Sequence, residues 1–380
     1  HRDLHSFPTR RSSDLTQRQL YWRGPVFTEF DGQVWRAERE PPRLHLPYAL
    51  PESGGIDYEL TLEPQGKPWL FALEAPGQLP AEALITHQYY WLAKKPVTDR
   101  LRYQTRSFPG LILGIDERMV LLRQSLELPA DSNPRIRDLA ARWRAEAGSD
   151  AEVLALAQNF FLRQRLTYTL EPPLLGRNAA DEFLFDTRQG FCEHFANAFA
   201  IAMRAAGIPA RVVTGYQGGE RNPVDGYWTV HQYDAHAWTE VWIAGKGWVR
   251  VDPTAISAPN RVEMNLAASV GAGDTLPFMV RTGVAWLQDL RFRWDAITNA
   301  WNQWVLGYTP DRQRDLLTRL GMASPDWQKM TILLTALSAL AMAVLAAWTL
   351  RQRLRQDPAS RLWQRLCHRL GRRGLARQPW

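Results

Sequence analysis

Hydrophobic and polar residues alternate along the first third of the chain as they do in half-buried β-strands, and turn residues separate the runs. Asp31-Gly32 is a strong hairpin signal, and Gln65-Gly66 is a second turn of the same kind. The predicted strand pairs are Val26–Phe30 with Val34–Ala37, Tyr58–Leu62 with Trp69–Leu73, and Ile85–Leu92 with Leu101–Arg106. We therefore expect a small antiparallel β domain over residues 19–110.

The spacing of apolar residues changes from Pro134 onwards, where it predicts helices. The expected helices run from Pro134 to Gly148, from Asp150 to about Arg165, and from Cys192 to Gly207. Strands are expected next, at Ala210–Tyr216, Tyr227–Gln232, His236–Ile243 and Trp248–Val251. Helices followed by an antiparallel sheet indicate an α+β domain, which we place at residues 111–258. The pattern is helical again over residues 259–329.

Thr331–Leu350 contains no charged residue, and as a helix its twenty residues would extend about 30 Å, the thickness of a bilayer core. We predict a transmembrane helix at residues 330–350; the alternative is a buried core helix. Arginines come after it, so the positive-inside rule places residues 351–380 in the cytoplasm as a basic tail. The preceding domains would then lie on the outer face of the membrane.

The first residues, 1–15, show neither a helical nor a strand period and join abruptly to the patterned chain after them. They are similar to translated adapter sequence. We expect residues 1–18 to be disordered and extraneous to the fold, which implies a truncated reading frame.

The formal net charge of +7 is a property of the tail alone. The last 30 residues carry nine Arg and one Asp, which leaves the other 350 residues with a net charge of −1. A nucleic-acid-binding body is therefore not supported. The two cysteines, Cys192 and Cys367, flank the predicted span and do not form a disulfide framework. A lone thiol in an exported domain is an oxidation liability, which draws attention to Cys192.

Cys192 comes two residues after Gly190 and opens the third predicted helix, whose apolar positions include Phe195, Phe199 and Met203. A helix N-terminus favours the thiolate through its amide donors and its dipole. The alternative is a small buried core cysteine. Gly190 would permit a tight turn and the approach of a substrate backbone.

A histidine and an acid on a later hairpin could complete this site. His236 lies on a predicted strand, and Asp252 lies sixteen residues later, beyond a turn at Gly245-Lys246-Gly247. A hairpin with an odd-length loop would place both side chains on one face. His236 would then accept the thiol proton, and Asp252 would fix the tautomer of its ring. Asp234 is a rival for the orienting acid.

The runs DEFLFDTRQGFCEHFANAFAIAMRAAGIPARVVTGYQGG and DAHAWTEVWIAGKGWVRVDPT resemble the transglutaminase-like core, with its Cys, His-Ala-Trp and Asp-Pro-Thr signatures in order. With the upstream YWRGPVFTEFDGQVWR and the predicted span, residues 19 to 370 resemble the bacterial TgpA-type protein-glutamine γ-glutamyltransferases. The resemblance implies a transglutaminase-like (papain-like cysteine acyltransferase) α+β core. It also implies the catalytic triad Cys192, His236 and Asp252, in the periplasm of a protein of the bacterial inner membrane.

The implied reaction is acyl transfer from a protein or peptide glutamine to an amine acceptor, with no cofactor. A cysteine peptidase or amidase would use the same triad with water as acceptor, and a non-catalytic membrane scaffold is a third possibility. Gly190, Trp238 and Tyr168 are candidate substrate-binding residues, Tyr168 as an oxyanion donor and Trp238 as a cleft wall. A tyrosine at such a position is more often a packed aromatic residue, and core packing would explain Trp238 equally well. Cys192 and His194 resemble half of a metal site, but no second pair accompanies them, so we predict no metal.

Overall fold

The computed structural model describes residues 5–7, 16–37, 41–81, 83–259, 292–294, 296–297, 327–354 and 358–372. The chain divides into two units, residues 1–302 and residues 303–380. Most of the region 259–329, for which the sequence predicts helices, lies outside the described residues.

Short strands dominate the first 110 residues, as predicted. They are β1 (His5–Phe7), β2 (Tyr21–Phe27), β3 (Glu29–Phe30), β4 (Trp35–Arg36), β5 (Ile56–Leu62), β6 (Trp69–Leu70), β7 (Ala83–Ile85), β8 (Trp91–Ala93) and β9 (Leu101–Ser107). The hairpin around Asp31-Gly32 is confirmed, because β3 pairs with β4. The other two predicted hairpins are wrong. β5 pairs with β9 over seven residues, and β8 pairs with both β6 and β7.

The reason is that a glycine turn fixes only a local reversal, whereas the choice of partner depends on which apolar faces can be buried together. Tyr58, Leu60 and Leu62 on β5 and Tyr103 on β9 are all buried in one core, which the distant pairing makes possible.

Helices form the middle of the first unit, and three of them lie close to the positions predicted from the sequence. They are α1 (Met119–Gln124), α2 (Pro134–Glu146), α3 (Asp150–Arg163), α4 (Ala179–Asp181) with a π-helical turn at Glu182–Thr187, α5 (Cys192–Ala205) and α6 (Pro253–Ser257). Pro134 occupies the first turn of α2, where its missing N–H costs nothing. The side chain of Ser149 caps α3 by accepting the N–H of Glu152.

The remaining strands are β10 (Thr167–Tyr168), β11 (Gln189–Gly190), β12 (Ala210–Gln217), β13 (Glu220–Arg221), β14 (Trp228–Val230), β15 (Ala235–Ile243) and β16 (Gly247–Val251). Four strands form one antiparallel sheet in the order β16-β15-β12-β2. Helix α5 packs against β12 and β15 of this sheet in the largest buried cluster of the described residues. The sheet and α5 confirm the α+β prediction.

Strand β2 is the unexpected member of that sheet, because the sequence places it in the separate β domain 19–110. It pairs with β12 across a register shift between Val213 and Gly215. A Cβ atom at Gly215 would lie 1.9 Å from the carbonyl oxygen of Trp22, so only glycine permits this approach of the two backbones. The predicted boundary at residue 110 therefore does not separate two independent sheets.

The expectation that residues 1–18 are disordered fails where the structure describes them. His5–Phe7 pairs antiparallel with β14, and Gln17–Gln19 forms a 3-10 turn. Pairing through backbone hydrogen bonds needs no hydrophobic period, which explains why the sequence pattern showed no sign of it. The other residues of this segment before Thr16 lie outside the described part.

The second unit contains two described helices, α7 (Trp327–Leu354) and α8 (Pro358–Gly371). The predicted transmembrane segment 330–350 falls within α7, so its helical structure agrees with the prediction. Among the residues described, however, no helix has the combination of length and apolar character needed to cross a membrane.

Candidate active site

Cys192 is the first residue of α5 and is 7% exposed. Its helix is held by Phe195, Phe199 and Met203, all fully buried, as their predicted helical spacing requires. The Nδ1 atom of His194 accepts the backbone N–H of Phe191 at 3.3 Å, so this histidine caps the helix.

The hairpin of β15 and β16 brings His236 and Asp252 together. Three residues separate Ile243 from Gly247, so the hairpin has the odd-length loop that was one way of placing both side chains on one face. The resulting register places Asp252 directly after β16, diagonal to His236 and on the same side. His236 Nε2 lies 2.8 Å from Asp252 Oδ2, and the two side chains are 0% and 5% exposed.

Asp252 accepts hydrogen bonds from four donors. Its Oδ1 accepts the backbone N–H groups of Thr254 at 2.9 Å and Ala255 at 3.1 Å, because Asp252 is the N-cap of α6. Its Oδ2 accepts the hydroxyl of Tyr21 at 2.7 Å and the ring N–H of His236. A carboxylate with these donors is held in one orientation and favoured as the anion.

These contacts shift the pKa values of both partners. Burial opposes the charged form of each group, but for Asp252 the positive charge of His236 and the hydrogen bonds from His236 and Tyr21 outweigh burial and lower its pKa. For His236, burial would lower the pKa, yet the charge and hydrogen bond of Asp252, followed by those of Cys192, raise it to about 9. An imidazolium is therefore stable at neutral pH when it faces a thiolate.

The remaining ring nitrogen of His236, Nδ1, is the atom left to exchange a proton with the thiol, because Nε2 is engaged by Asp252. Nδ1 has no hydrogen bond of standard geometry to any residue that the structure describes. The Cys192 sulfur nevertheless interacts with the imidazole closely enough to raise its pKa. Such contacts commonly tighten when substrate binds.

The rival acid, Asp234, is turned elsewhere. Its Oδ2 accepts the backbone N–H of His231 at 2.8 Å and lies 3.6 Å from Nδ1 of the same histidine. Asp234 therefore belongs to the 3-10 turn Gln232–Asp234 that precedes β15. Of the two acids that the sequence offered, Asp252 is the one that contacts His236.

The three candidate substrate-binding residues occupy different surroundings. Tyr168 on β10 pairs with Gly190 on β11, two residues before Cys192. A Cβ at Gly190 would lie 2.8 Å from both Phe183 and His194, so the packing of the chain itself requires glycine here. Trp238 is completely buried, which favours core packing over a cleft wall. Contact of any of these residues with substrate stays a prediction.

Two features of the site were not predicted from the sequence. One is Tyr21, which reaches Asp252 from a strand 231 residues earlier in the chain. The other is Glu240, on the same strand as His236, which forms a buried ion cluster with Arg23 and Arg211. Long-range contacts of this kind leave no periodic pattern in the sequence. The only signal for a buried charge was the alternation of the strand, which places Glu240 on the same face as His236.

Among the residues described, no group of three or more His, Cys, Asp or Glu side chains is arranged to hold a metal ion.

A helix that starts at a cysteine and packs on an antiparallel sheet carrying a His–Asp pair is the arrangement expected of transglutaminase-like proteins. Comparison with known proteins agrees: the model of the transglutaminase-like superfamily matches residues 137–253, and that of the TgpA N-terminal domain matches residues 7–113. The chain is 38% identical to the periplasmic domain of TgpA from Pseudomonas aeruginosa, with a TM-score of 0.66, and the match covers 93% of that crystal structure and 70% of this chain. A second crystal structure of that domain, bound to ethylmercury, gives a TM-score of 0.64. This chain therefore belongs to the TgpA-type family of the transglutaminase-like superfamily, as the sequence motifs predicted.

A curated relative from Pseudomonas aeruginosa, named protein-glutamine gamma-glutamyltransferase, is 39% identical over 98% of this chain. The chain spans 57% of that relative's length. The uncharacterized protein YebA of Bacillus subtilis is 32% identical over 34% of the chain. The name of the Pseudomonas relative gives the same enzyme class that the sequence motifs predict. This agreement supports that class for this chain.

Proposed function

We propose that this protein catalyses cysteine-dependent acyl transfer from the carboxamide of a protein or peptide glutamine to an amine. Cys192 is the proposed nucleophile, His236 the acid and base, and Asp252 the residue that orients the imidazole. The observation that carries the proposal is the 2.8 Å contact between His236 and Asp252 in a buried site whose imidazole also interacts with Cys192.

In the first half of the reaction His236 takes the proton of the Cys192 thiol, and the thiolate attacks the carboxamide carbon. The carbon–nitrogen bond then breaks, the imidazolium gives its proton to the departing ammonia, and a thioester remains. The backbone N–H of Cys192, at the start of α5, is the proposed donor to the oxyanion, with the Tyr168 hydroxyl as a second candidate.

In the second half an amine attacks the thioester carbon and loses a proton to His236. The carbon–sulfur bond breaks, and the thiolate–imidazolium pair is restored. The balance is one glutamine carboxamide and one amine converted to one substituted amide and one ammonia. Asp252 stays ionised throughout, because four donors stabilise its charge.

The test uses the full chain with a glutaminyl dipeptide as donor and a fluorescent alkylamine as acceptor, and it measures both ammonia release and amine incorporation. We expect Cys192→Ala and His236→Ala to abolish both, and Asp252→Asn to reduce the rate by orders of magnitude. Matched controls are Cys367→Ala and Asp234→Asn, which should retain activity. Full activity in Cys192→Ala would refute the proposal, and ammonia without incorporation would assign water as the acceptor.

We further propose that the first unit is periplasmic and that residues 330–350 anchor it to the bacterial inner membrane, with residues 351–380 in the cytoplasm. The absence of charge in Thr331–Leu350 and the arginines after it support this topology. A membrane-impermeant maleimide tests it in a Cys192→Ala background. Cys367 should be protected in intact spheroplasts and labelled after detergent lysis, and labelling of intact spheroplasts would refute the topology.

A further inference from the structure

Tyr21 is a buried tyrosine that contacts the triad, and the proposed mechanism counts it only as one of the four donors to Asp252. It is the first residue of β2 and is 4% exposed. Its hydroxyl donates to Asp252 Oδ2 at 2.7 Å, the same oxygen that accepts the ring N–H of His236. The Tyr21 and His236 rings lie 6.3 Å apart between centroids.

The Tyr21 ring is itself held firmly. The guanidinium of Arg250 lies 3.9 Å from the ring centroid, and Arg250 pairs with Glu74 at 2.6 Å. Trp238 meets the ring edge to face, with 5.3 Å between centroids. A phenol enclosed in this way loses little entropy when it donates its hydrogen bond, because its orientation is already fixed by packing.

The charged and titratable groups around Tyr21 are Asp252, His236, Arg250 and Glu74. Burial, together with the charge of Asp252, raises the pKa of the phenol. Tyr21 therefore remains a neutral donor wherever the thiolate–imidazolium pair exists. The hydrogen bond from Tyr21 to Asp252 is stronger when His236 is neutral, because no imidazolium charge then offsets the negative charge of the carboxylate. Loss of the hydroxyl should thus favour the imidazolium.

We propose that Tyr21 is a positioning residue for the triad, which holds the Asp252 carboxylate against His236 from a strand contributed by the N-terminal part of the chain. This inference rests on the proposed function of Cys192, His236 and Asp252. It adds a fourth side chain to the site and makes the N-terminal β region a part of the active centre rather than an attachment to it.

The test compares the wild-type chain with Tyr21→Phe and with the matched control Tyr48→Phe, which loses only a bond to the Pro76 carbonyl. The full chains are assayed for amine transfer and, separately, for inactivation by iodoacetate, an anion that reacts fastest while the imidazolium is charged. For Tyr21→Phe we expect kcat to fall about tenfold with KM nearly unchanged. The alkaline midpoint of both pH profiles should rise by about half to one pH unit, while Tyr48→Phe should match the wild type.

A loss of rate in Tyr21→Phe with unmoved midpoints would reduce Tyr21 to a structural role and overturn the inference. If Tyr21→Phe does not fold, 3-fluorotyrosine at position 21 decides, since this more acidic phenol keeps the shape of the ring and should shift the midpoint downwards. No shift would overturn the inference. Because the iodoacetate profile does not depend on any acyl acceptor, failure of amine transfer alone would count against the proposed function and not against Tyr21. If the wild-type rates did not decline at alkaline pH, both the proposed function and the proposed role of Tyr21 would be refuted.

Discussion

Replacing Glu240 with glutamine should destabilise the first unit more than any surface charge substitution. Glu240 lies on β15, four residues after His236, and its side chain is 6% exposed. Its Oε2 accepts Nε of Arg211 at 2.8 Å and a guanidinium nitrogen of Arg23 at 3.0 Å, while its Oε1 accepts a further bond from Arg23. Both arginines are buried as well, with side chains 3% and 2% exposed.

The magnitude is set by the charges that the substitution leaves unpaired. Removing one partner from a buried ion cluster costs about 3–5 kcal/mol, since the remaining charges keep their desolvation penalty without compensation. The pKa of Glu240 gives an independent estimate. Burial opposes its ionisation, but the charges of Arg23 and Arg211 outweigh burial and lower the pKa to about 2. Relative to an ordinary glutamate this corresponds to about 3 kcal/mol at neutral pH.

The sign of the pH dependence is fixed by that lowered pKa. A carboxyl group that is more acidic in the folded state stabilises the protein above its unfolded pKa, and this contribution is lost as the pH falls through the folded pKa. For Glu240 the window runs from about 4.5 down to about 2. The difference in unfolding free energy between wild type and Glu240→Gln should therefore narrow by about 2 kcal/mol between pH 7 and pH 3.

Urea unfolding monitored by tryptophan fluorescence measures this difference at both pH values. Asp57→Asn is the matched control, because Asp57 pairs with Arg106 on the surface, where both side chains are about half exposed. That substitution should cost less than about 1 kcal/mol. If Glu240→Gln changed the unfolding free energy at pH 7 by no more than the control, the reasoning from burial and charge would be refuted.

Three further predictions concern the sheet, a helix end and the triad. Gly215→Ala should destabilise the protein by about 3 kcal/mol or prevent folding, because a Cβ there would lie 1.9 Å from the Trp22 carbonyl; a melting temperature equal to that of wild type would contradict it. Ser149→Ala should cost about 1 kcal/mol in urea unfolding through loss of the cap on the Glu152 N–H, and a gain in stability would contradict it. The stabilisation that comes from the raised pKa of His236 is fully present below about 6.5 and is lost as the pH rises towards about 9, so the melting temperature should decline over that interval in the wild type and less so in His236→Gln.

Prediction from the sequence succeeded best where one local rule decided the structure. The helices α2, α3 and α5 end within about two residues of the predicted limits, because a hydrophobic stripe defines each of them. Strand partners were predicted correctly only where the connecting loop is short. The pairing of β5 with β9, across nearly forty intervening residues, depends on burial of a shared core that no local pattern describes.

The same distinction applies to the site. Cys192 could be found from its place at a helix start, and His236 and Asp252 from the spacing of one hairpin. The sequence allowed several registers for that hairpin, and its three-residue loop selects the observed one. Tyr21 could not be found in this way. Its only distinguishing property is its partner, and that contact depends on β2 joining a sheet formed by residues more than 180 positions later.

The membership of β2 in the four-stranded sheet links the N-terminal part of the chain to the proposed chemistry. Gly215 pairs with His236 on one side and with Arg23 on the other, so that a single residue of β12 stands between the proposed base and β2. Tyr21 and Arg23 are two positions apart and therefore point to one face of β2, just as His236 and Glu240 point to one face of β15.

Each of these two β2 side chains contacts a different buried acid. Tyr21 donates to Asp252, and Arg23 neutralises Glu240, so the same strand supports both the proposed triad and the ion cluster beside it. A core cut away at residue 111 would lose both contacts, leaving Glu240 with Arg211 alone and Asp252 with three donors. We therefore expect the N-terminal β region to contribute to the stability of the sheet as well as to the orientation of the proposed catalytic acid.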